Sequence, residues 1–181
     1  PESSKHVTHN AHQKDSTVLF YPPPIVRYYL TVRTAPPGVT TITGEGWYDE
    51  GTTVVLTAPE EVPVSTGVRY NFSYWDVDGT SKIGNPIAVT MNANHTATAH
   101  YVLQYYLTVS SPYGTTGGQG WYDKDSTAYA TVTPLTVSGD EGVQYVFINW
   151  SGDATGNTSP SDPIVMNGPK TATANWRTQY Y

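Results

Sequence analysis

An internal repeat, joined by one alternating stretch, constrains the fold of this chain more than any other feature of its sequence. Residues 96–110 contain no Gly or Pro, and every second position falls on one apolar side: Ala97, Ala99, Tyr101, Leu103, Tyr105, Leu107 and Val109. This period of two is typical of a half-buried strand. The start of the stretch recurs at residues 171–174, and its later part matches residues 28–32. The stretch therefore joins the end of one repeat to the start of the next.

The matched segments divide the chain into three parts. Residues 1–24 form an arm of different composition, residues 25–103 are repeat 1, and residues 104–181 are repeat 2. Residues 179–181 match residues 104–106, so that a third repeat begins where the sequence ends. The small changes in spacing between matched segments place insertions and deletions in turns, where they cost little stability.

The residue types indicate strands throughout. Thr, Tyr, Gly and Pro are plentiful and no window has the pattern of an amphipathic helix, which suits many short strands and turns. Repeat 1 is predicted to hold five strands, at residues 28–33, 52–58, 68–75, 86–91 and 96–101, with a turn at residues 44–51. We expect an all-β fold of two tandem small antiparallel β-sandwich or grasp-like repeats with an extended N-terminal arm.

The order of short motifs resembles a known family. Trp-Tyr-Asp, an alternating strand, Gly-x-x-Tyr-x-Phe-x-x-Trp, Pro-Ile, Met-Asn and Thr-Ala-Thr-Ala follow one another in both repeats or nearly so. This order resembles the divergent internalin-type B-repeat, a tandem module of bacterial and archaeal surface proteins. The resemblance implies an extracellular or cell-surface structural protein, part of a stalk, adhesin or filament. Such repeats have a grasp-like fold with a short helical crossover. No helix is indicated at residues 58–67 or 133–142, so we expect a purely β version.

Composition argues against several partners. The formal net charge is -6 and the basic residues are scattered, whereas a nucleic-acid groove needs clustered positive charge. No apolar run approaches the roughly 20 residues that cross a bilayer, so we expect no membrane span. The chain has no Cys, which excludes disulfides and thiolate metal sites.

The aromatic residues allow two interpretations. All five Trp lie at repeat positions, namely Trp47, Trp75, Trp121, Trp150 and Trp176. A domain of about 75 residues needs large aromatics to fill a small core, so burial is the expected role. The alternative is a carbohydrate-binding module, in which exposed Trp and Tyr stack on sugar rings. An exposed flat row of Trp47, Trp121 and their Tyr neighbours would favour that alternative.

No cofactor, metal or catalytic site is predicted. Asp76 and Asp78 resemble the start of a calcium loop, but Ser81, Lys82 and Ile83 follow where further ligands are needed, so an Asp-Gly turn is the better interpretation. The arm histidines, His6, His9 and His12, are read as a solvated tail.

Titratable side chains elsewhere do not form a catalytic set either. Repeat 2 has no His, and repeat 1 has only His95 and His100. Neighbouring carboxylates such as Glu60 and Glu61 diverge on extended backbone. Nothing assembles an acid–base pair, so we expect that the chain is not an enzyme.

Four Asn-x-Ser/Thr triplets are candidate N-glycosylation sites, with acceptors at Asn71, Asn94, Asn149 and Asn157. Asn94 and Asn157 lie in predicted turns and are the better candidates. Asn71 should point outward from its strand, and Asn149 is the least secure. These triplets would make the chain a glycoprotein.

The arm is a candidate for self-association. An apolar strand, Val18, Leu19, Phe20 and Tyr21, precedes Pro22, Pro23 and Pro24, which favour a stiff extended spacer. The strand could add to the sheet edge of another copy, and a head-to-tail contact of this kind makes fibres. The alternatives are that this segment pairs locally with repeat 1 or that it belongs to a preceding domain.

Overall fold

A computed structural model describes residues 23–181 of the chain, and they form sixteen β-strands and no helix. Repeat 1 and the joint hold eight strands: β1 (Arg27–Ala35), β2 (Gly46–Asp49), β3 (Thr53–Leu56), β4 (Glu61–Ser65), β5 (Val68–Val77), β6 (Thr80–Lys82), β7 (Ile87–Thr90) and β8 (His95–Ser110). Repeat 2 holds the other eight: β9 (Thr115–Gly117), β10 (Gly120–Asp123), β11 (Thr127–Ala128), β12 (Thr131–Thr133), β13 (Thr136–Ser138), β14 (Val143–Gly152), β15 (Ile164–Val165) and β16 (Lys170–Tyr180). The predicted all-β fold of tandem repeats is confirmed.

Strand β8 belongs to both repeats, as the unbroken alternation predicts. Its first half pairs with β1 and β5, and its second half pairs with β10 and β16. The pairing with β5 extends from Ala97 to Tyr105. Because one continuous strand of sixteen residues is hydrogen-bonded on both edges by both repeats, the predicted boundary between residues 103 and 104 lies inside a sheet.

The pairing with β8 is mixed rather than wholly antiparallel. Strands β1 and β16 run parallel to β8, whereas β5 and β10 run antiparallel to it. The period of two fixes which side chains share a face, but it carries no information about strand direction. The antiparallel expectation therefore fails for these two pairs.

Each repeat has its own core beneath this sheet. Leu30, Leu56, Trp75 and Met91 are fully buried in repeat 1. Leu107, Trp150 and Met166 are buried in repeat 2. Small separate two-stranded sheets, β3 with β7 in repeat 1 and β11 with β15 in repeat 2, close the other side of each core. Alanines of β8 and β16 occupy the inward positions, and they let the aromatic residues approach the sheet closely.

Several predictions about individual elements need correction. Residues 44–51 contain strand β2, not only a turn, because four residues between glycines are too few to show a period. Strands β4 and β13 fill the segments where no element was predicted. Pro63 lies within β4, and a proline is tolerated there because β4 pairs only with β5 among the described strands.

Candidate functional site

The surface where the two repeats meet is built from β5, β8 and β10, which lie side by side. Opposed residues of neighbouring strands share a face, so Arg69, Gln104 and Asp123 form one row across the three strands. The Arg69 side chain donates to Gln104 Oε1 at 2.9 Å, and Gln104 Nε2 donates to Asp123 Oδ1 at 2.8 Å. Glu61 on β4 completes the row with a salt bridge to Arg69. This polar row links repeat 1 to repeat 2 through side chains.

An aromatic pair lies next to that row. Tyr106 and Trp121 meet edge to face, with ring centroids 5.1 Å apart. The Arg69 guanidinium of repeat 1 lies 4.3 Å from the centroid of the Trp121 ring, within the range of a cation–π interaction. Repeat 1 thus covers the exposed side of a repeat 2 tryptophan.

The backbone of the joint is also tied down. The Tyr106 N–H donates to the Gly67 carbonyl at 3.0 Å, and the Lys124 N–H donates to the Leu103 carbonyl at 2.8 Å. Gly67 has a φ of +70°, and a Cβ there would lie 3.0 Å from Pro169 Cβ. The close approach of these two residues therefore requires glycine.

A mainly apolar cleft of about 450 Å³ opens beside Trp121. Tyr106 and Trp121 supply aromatic surface, and the remaining lining is Thr66, Gly67, Thr108, Pro169, Lys170 and Thr171. Residues of both repeats contribute, so the cleft exists only because the repeats are joined. Its three threonines are exposed and offer hydroxyl groups near the aromatic rings.

The N-terminal end of repeat 1 carries the same aromatic pair without its cover. Tyr29 and Trp47 meet edge to face at 5.3 Å and 68°, close to the 5.1 Å and 71° of their repeat 2 counterparts. The Arg27 Nε donates to Asp49 Oδ1 at 2.7 Å. Arg27 and Asp49 align with Gln104 and Asp123 of the joint. Trp47 is 65% exposed. We call Ile25, Arg27, Tyr29, Trp47 and Asp49 the Trp47 face.

Two side chains cap free backbone groups at the Trp47 face. Asn94 Oδ1 accepts from the Tyr29 N–H at 2.7 Å, in the place that the Gly67 carbonyl takes at Tyr106. Glu45 accepts from the Val32 N–H and from the Tyr29 hydroxyl, and the hydrogen bond to Glu45 raises the pKa of Tyr29. Gln119 accepts from the Val109 N–H in repeat 2 in the same way.

The prediction that all tryptophans fill the core is correct for Trp75 and Trp150, at 0% and 3% exposure. It is wrong for Trp47, because β2 alternates and turns Tyr48 inward and Trp47 outward. Trp121 and Trp176 are half-buried. Trp47 and Trp121 do not form one exposed flat row, because Arg69 covers the ring of Trp121.

One carboxylate in each repeat accepts hydrogen bonds from the first residues of the last strand of that repeat, β8 in repeat 1 and β16 in repeat 2. Asp78 accepts from the Thr96 N–H and from His95, and Asp153 accepts from the Thr171 N–H and from Lys170. Burial alone would raise the pKa of Asp78, but the hydrogen bonds from His95 and Thr96 outweigh it and lower the pKa. The hydrogen bond from Thr171, joined by the one from Lys170, lowers the pKa of Asp153 despite partial burial.

The predicted Asp-Gly turn is present at Asp78 and Gly79, both with positive φ, as a two-residue type I′ hairpin requires. Asp76 Oδ1 accepts from the Gly79 N–H, and Asp78 is held as described above. Among residues 23–181 no three His, Cys, Asp or Glu side chains come together as metal ligands.

The carboxylates considered for catalysis are held apart. Glu60 accepts from Asn85, Glu61 bonds to Arg69, and Asp49 bonds to Arg27. His100 stacks on Tyr74 with ring centroids 4.4 Å apart.

The four candidate glycosylation sites differ in their surroundings. Asn94 and Asn157 are exposed and lie outside strands, as predicted. Asn71 is half-buried in β5, and its amide donates to the Phe72 carbonyl at 3.2 Å. Asn149 is exposed, and its Oδ1 accepts from Asn175. Asn94 and Asn157 are thus the two acceptors that are both exposed and outside strands.

Two sequence predictions fall on residues that the structure does not describe. The self-association strand of Val18, Leu19, Phe20 and Tyr21 lies outside the described residues, as do His6, His9 and His12. Over residues 23–181, no helix is long and apolar enough to span a membrane.

Sequence reasoning missed Arg69, Gln104 and Glu45. Gln104 recurs as Gln179, but Arg69 aligns with Gln144 and Glu45 aligns with Gln119, so a search for repeated residue types passes over them. Arg69 could have been found from its position, because it follows Gly67, a glycine that recurs as Gly142, by two residues.

Comparison with family models matches the chain twice in tandem. The model of the divergent InlB B-repeat domain matches residues 30–104 and again residues 105–179, which together are most of the chain. Comparison with curated proteins and with solved structures found no match. The two matches meet inside β8, where the structure joins the repeats. The chain belongs to the divergent InlB B-repeat family.

Proposed function

We propose that the chain is a non-enzymatic structural module of an extracellular or cell-surface protein, holding two repeats at a fixed angle in a stalk, adhesin or filament. The sharing of β8 carries this proposal. A flexible linker would let the repeats turn independently, whereas here a sixteen-residue strand passes through both. The family to which both repeats belong supports a repeat module of this kind.

The contacts at the joint support a mechanical role. Arg69, Gln104 and Asp123 are hydrogen-bonded in a row across three strands, and backbone bonds from Tyr106 and Lys124 flank the row. Rotation of one repeat against the other breaks these bonds together. A joint of this type transmits force and orientation along a chain of repeats.

Location is tested by immunogold electron microscopy of the source cells with antibodies raised against the chain. Label on intact cells is the expected result. Label that appears only after the cells are permeabilised would contradict the proposal. An antibody to a cytoplasmic protein of the same cells controls for leakage.

The second candidate is carbohydrate binding in the cleft beside Trp121. The combination of aromatic surface with the hydroxyls of Thr66, Thr108 and Thr171 favours it, because sugar rings stack on aromatic rings and their hydroxyls need polar partners. A glycan array probed with the chain tests this. The Thr108→Val, Thr171→Val variant should lose a true signal, while a signal that survives in this variant comes from another surface.

Two finer features belong to the same proposal. The exposed Asn94 and Asn157 are candidates to carry N-glycan in the native protein, and the arm strand at residues 18–21 is a candidate to link copies into a fibre. The first rests on the exposure of both acceptors, and the second on the sequence of the arm alone.

A further inference from the structure

The turn that leads from β15 into β16 carries an Asn-Gly pair, Asn167 and Gly168. Asn167 is exposed and lies outside the strands, and its N–H donates to the Val165 carbonyl at 3.1 Å. A Cβ added to Gly168 would meet no atom within 4 Å beyond its chain neighbours. The side-chain amide of Asn167 and the glycine that follows it therefore lie on an open part of the surface.

An asparagine that precedes a glycine can react with its own backbone. The Gly168 nitrogen attacks the Asn167 Cγ and forms a new C–N bond, and its own proton passes to the solvent. The bond from Cγ to the side-chain nitrogen breaks, and that nitrogen takes up a proton and leaves as ammonia. Water then opens the cyclic imide at either carbonyl, which gives aspartate or isoaspartate. Glycine favours the attack because it has no Cβ to hinder the close approach of its nitrogen to Cγ.

Repeat 1 contains a matched turn with a less reactive asparagine. Asn92 aligns with Asn167 and makes the corresponding backbone hydrogen bond, two residues back along the chain. Ala93 follows Asn92, so a Cβ stands beside the attacking nitrogen. The Asn92 Oδ1 is also hydrogen-bonded to His95 Nε2 at 2.9 Å, which holds the side-chain amide in place. The protein thus contains its own control for the reaction at Asn167.

The Asp78–Gly79 pair offers the same chemistry through a carboxylate, but its reacting groups are held. The Gly79 N–H donates to Asp76 Oδ1 at 2.8 Å, so the attacking nitrogen is already engaged. The Asp78 carboxylate accepts from the Thr96 N–H at 2.8 Å, which fixes the group that would be attacked. This pair is therefore a second internal control.

The turn at Asn167 also forms part of the joint between the repeats. Pro169 lines the cleft at the joint, and a Cβ on Gly67 of repeat 1 would lie only 3.0 Å from Pro169 Cβ. Isoaspartate adds one carbon atom to the main chain of the turn. Met166 and Thr171, on either side of the turn, are hydrogen-bonded to other parts of repeat 2. Because both flanks are held, the added atom shifts the residues between them, and Pro169 is one of these.

We propose that Asn167 is a site of spontaneous deamidation and isomerisation in the folded chain, and that its isoaspartate form moves Pro169 away from Gly67 and loosens the joint. The rate rises with pH, because the attacking Gly168 nitrogen must lose its proton. The stiffness of the joint then depends on the age of the molecule. This goes beyond the proposed structural role, which requires a fixed joint but no covalent change.

Prolonged incubation of the folded full chain in mildly alkaline buffer, followed by digestion in mild acid and tandem mass spectrometry, measures the conversion. Asn167 should gain about 1 Da while Asn92 stays unchanged over the same period. An isoaspartate-specific methyltransferase should label the converted chain. Gly168→Ala, at a position with room for the added Cβ, should slow the conversion by about tenfold or more.

Three results would overturn the assignment of Asn167 as the reactive site. The first is equal conversion at Asn92, and the second is a rate that Gly168→Ala leaves unchanged. The third is an Asn167 that stays intact in the folded chain and converts only in urea, because the fold would then protect it. Circular dichroism confirms that the incubated chain and the variant are folded.

The effect on the joint is tested with spin labels on Ser81→Cys in repeat 1 and Ser138→Cys in repeat 2, both exposed. Asn167→Asp carries the new carboxylate without the added main-chain carbon, so it separates the effect of charge from that of chain length. The isoaspartate chain should give a broader distance distribution than the Asn167→Asp variant. Equal distributions in these two chains would overturn the link between Asn167 and the joint.

Discussion

The Arg69 guanidinium lies 4.3 Å from the ring centroid of Trp121, and this contact joins the two repeats outside the shared strand. Arg69 also bonds to Glu61 and Gln104, and its side chain is only 16% exposed. One side chain therefore holds the β4–β5 hairpin of repeat 1 against β8 and β10.

Arg69→Ala is expected to lower the free energy of unfolding by about 2 kcal/mol, because a cation–π contact and charge-assisted hydrogen bonds are lost together. Arg33→Ala, at an exposed position, should cost less than about 0.5 kcal/mol. Urea unfolding at equal ionic strength measures both. Arg69→Lys keeps the charge but loses the planar fork, and full stability in that variant would show that charge alone is needed.

Gly118, which lies between β9 and β10 in repeat 2, provides an independent test of packing. Gly118 has a φ of +86°, and a Cβ there would lie 1.9 Å from the Tyr129 carbonyl oxygen. Gly38 has a similar φ of +79° with nothing within 4 Å. Gly38→Ala should therefore cost only the backbone strain, about 1 kcal/mol, whereas Gly118→Ala should cost at least about 2 kcal/mol more. Equal losses in thermal unfolding would contradict the close approach.

The hydrogen-bonded carboxylates of Asp78 and Asp153, whose pKa values are lowered, predict that the folded chain loses stability in acid. The folded pKa of Asp153 is lowered, chiefly by the Thr171 N–H, so its contribution is present above the unfolded pKa of about 3.9 and is lost as pH falls through the folded value. Asp153→Asn should cost about 1 kcal/mol at pH 7, a figure reduced for the exposure of the carboxylate. The difference from the unmodified chain should shrink below about pH 4. A difference that is independent of pH would mean that the charge plays no part.

The sequence predicted the shared strand, the repeats and the Asp-Gly turn because each rests on local information. Unbroken alternation over residues 96–110 becomes β8, with Ala97, Ala99 and Leu107 buried as the pattern requires. Two positive φ values at Asp78 and Gly79 follow from residue types that tolerate them.

What the sequence did not predict depends on long-range pairing. The parallel direction of β1 and β16 relative to β8 leaves no mark in a period of two. Trp47 and Trp121 occupy the same position of the repeat, yet Trp47 is exposed and Trp121 is half-buried. Arg69 of the neighbouring repeat covers Trp121, and the position of Arg69 follows from the register of β5 on β8.

Glycosylation gives a prediction about the native protein. We expect N-glycan on Asn94 or Asn157, which are exposed and outside strands, and none on Asn71, whose amide donates to Phe72 O within β5. Mass spectrometry of protein from its natural source measures occupancy, and a copy made in a bacterial host without the glycosylation machinery is the control. Unmodified asparagine at both exposed sites in the natural protein would contradict this expectation.

The fixed angle between the repeats is the central claim, and distance measurement between two spin labels tests it most directly. The chain has no Cys, so Ser81→Cys in repeat 1 and Ser138→Cys in repeat 2, both exposed, accept labels without side reactions. Pulsed electron resonance should give one narrow distance distribution, which broadens when Leu103 and Gln104 inside β8 are both replaced by Gly. A distribution in the unmodified joint as broad as in the glycine variant would contradict a rigid pair.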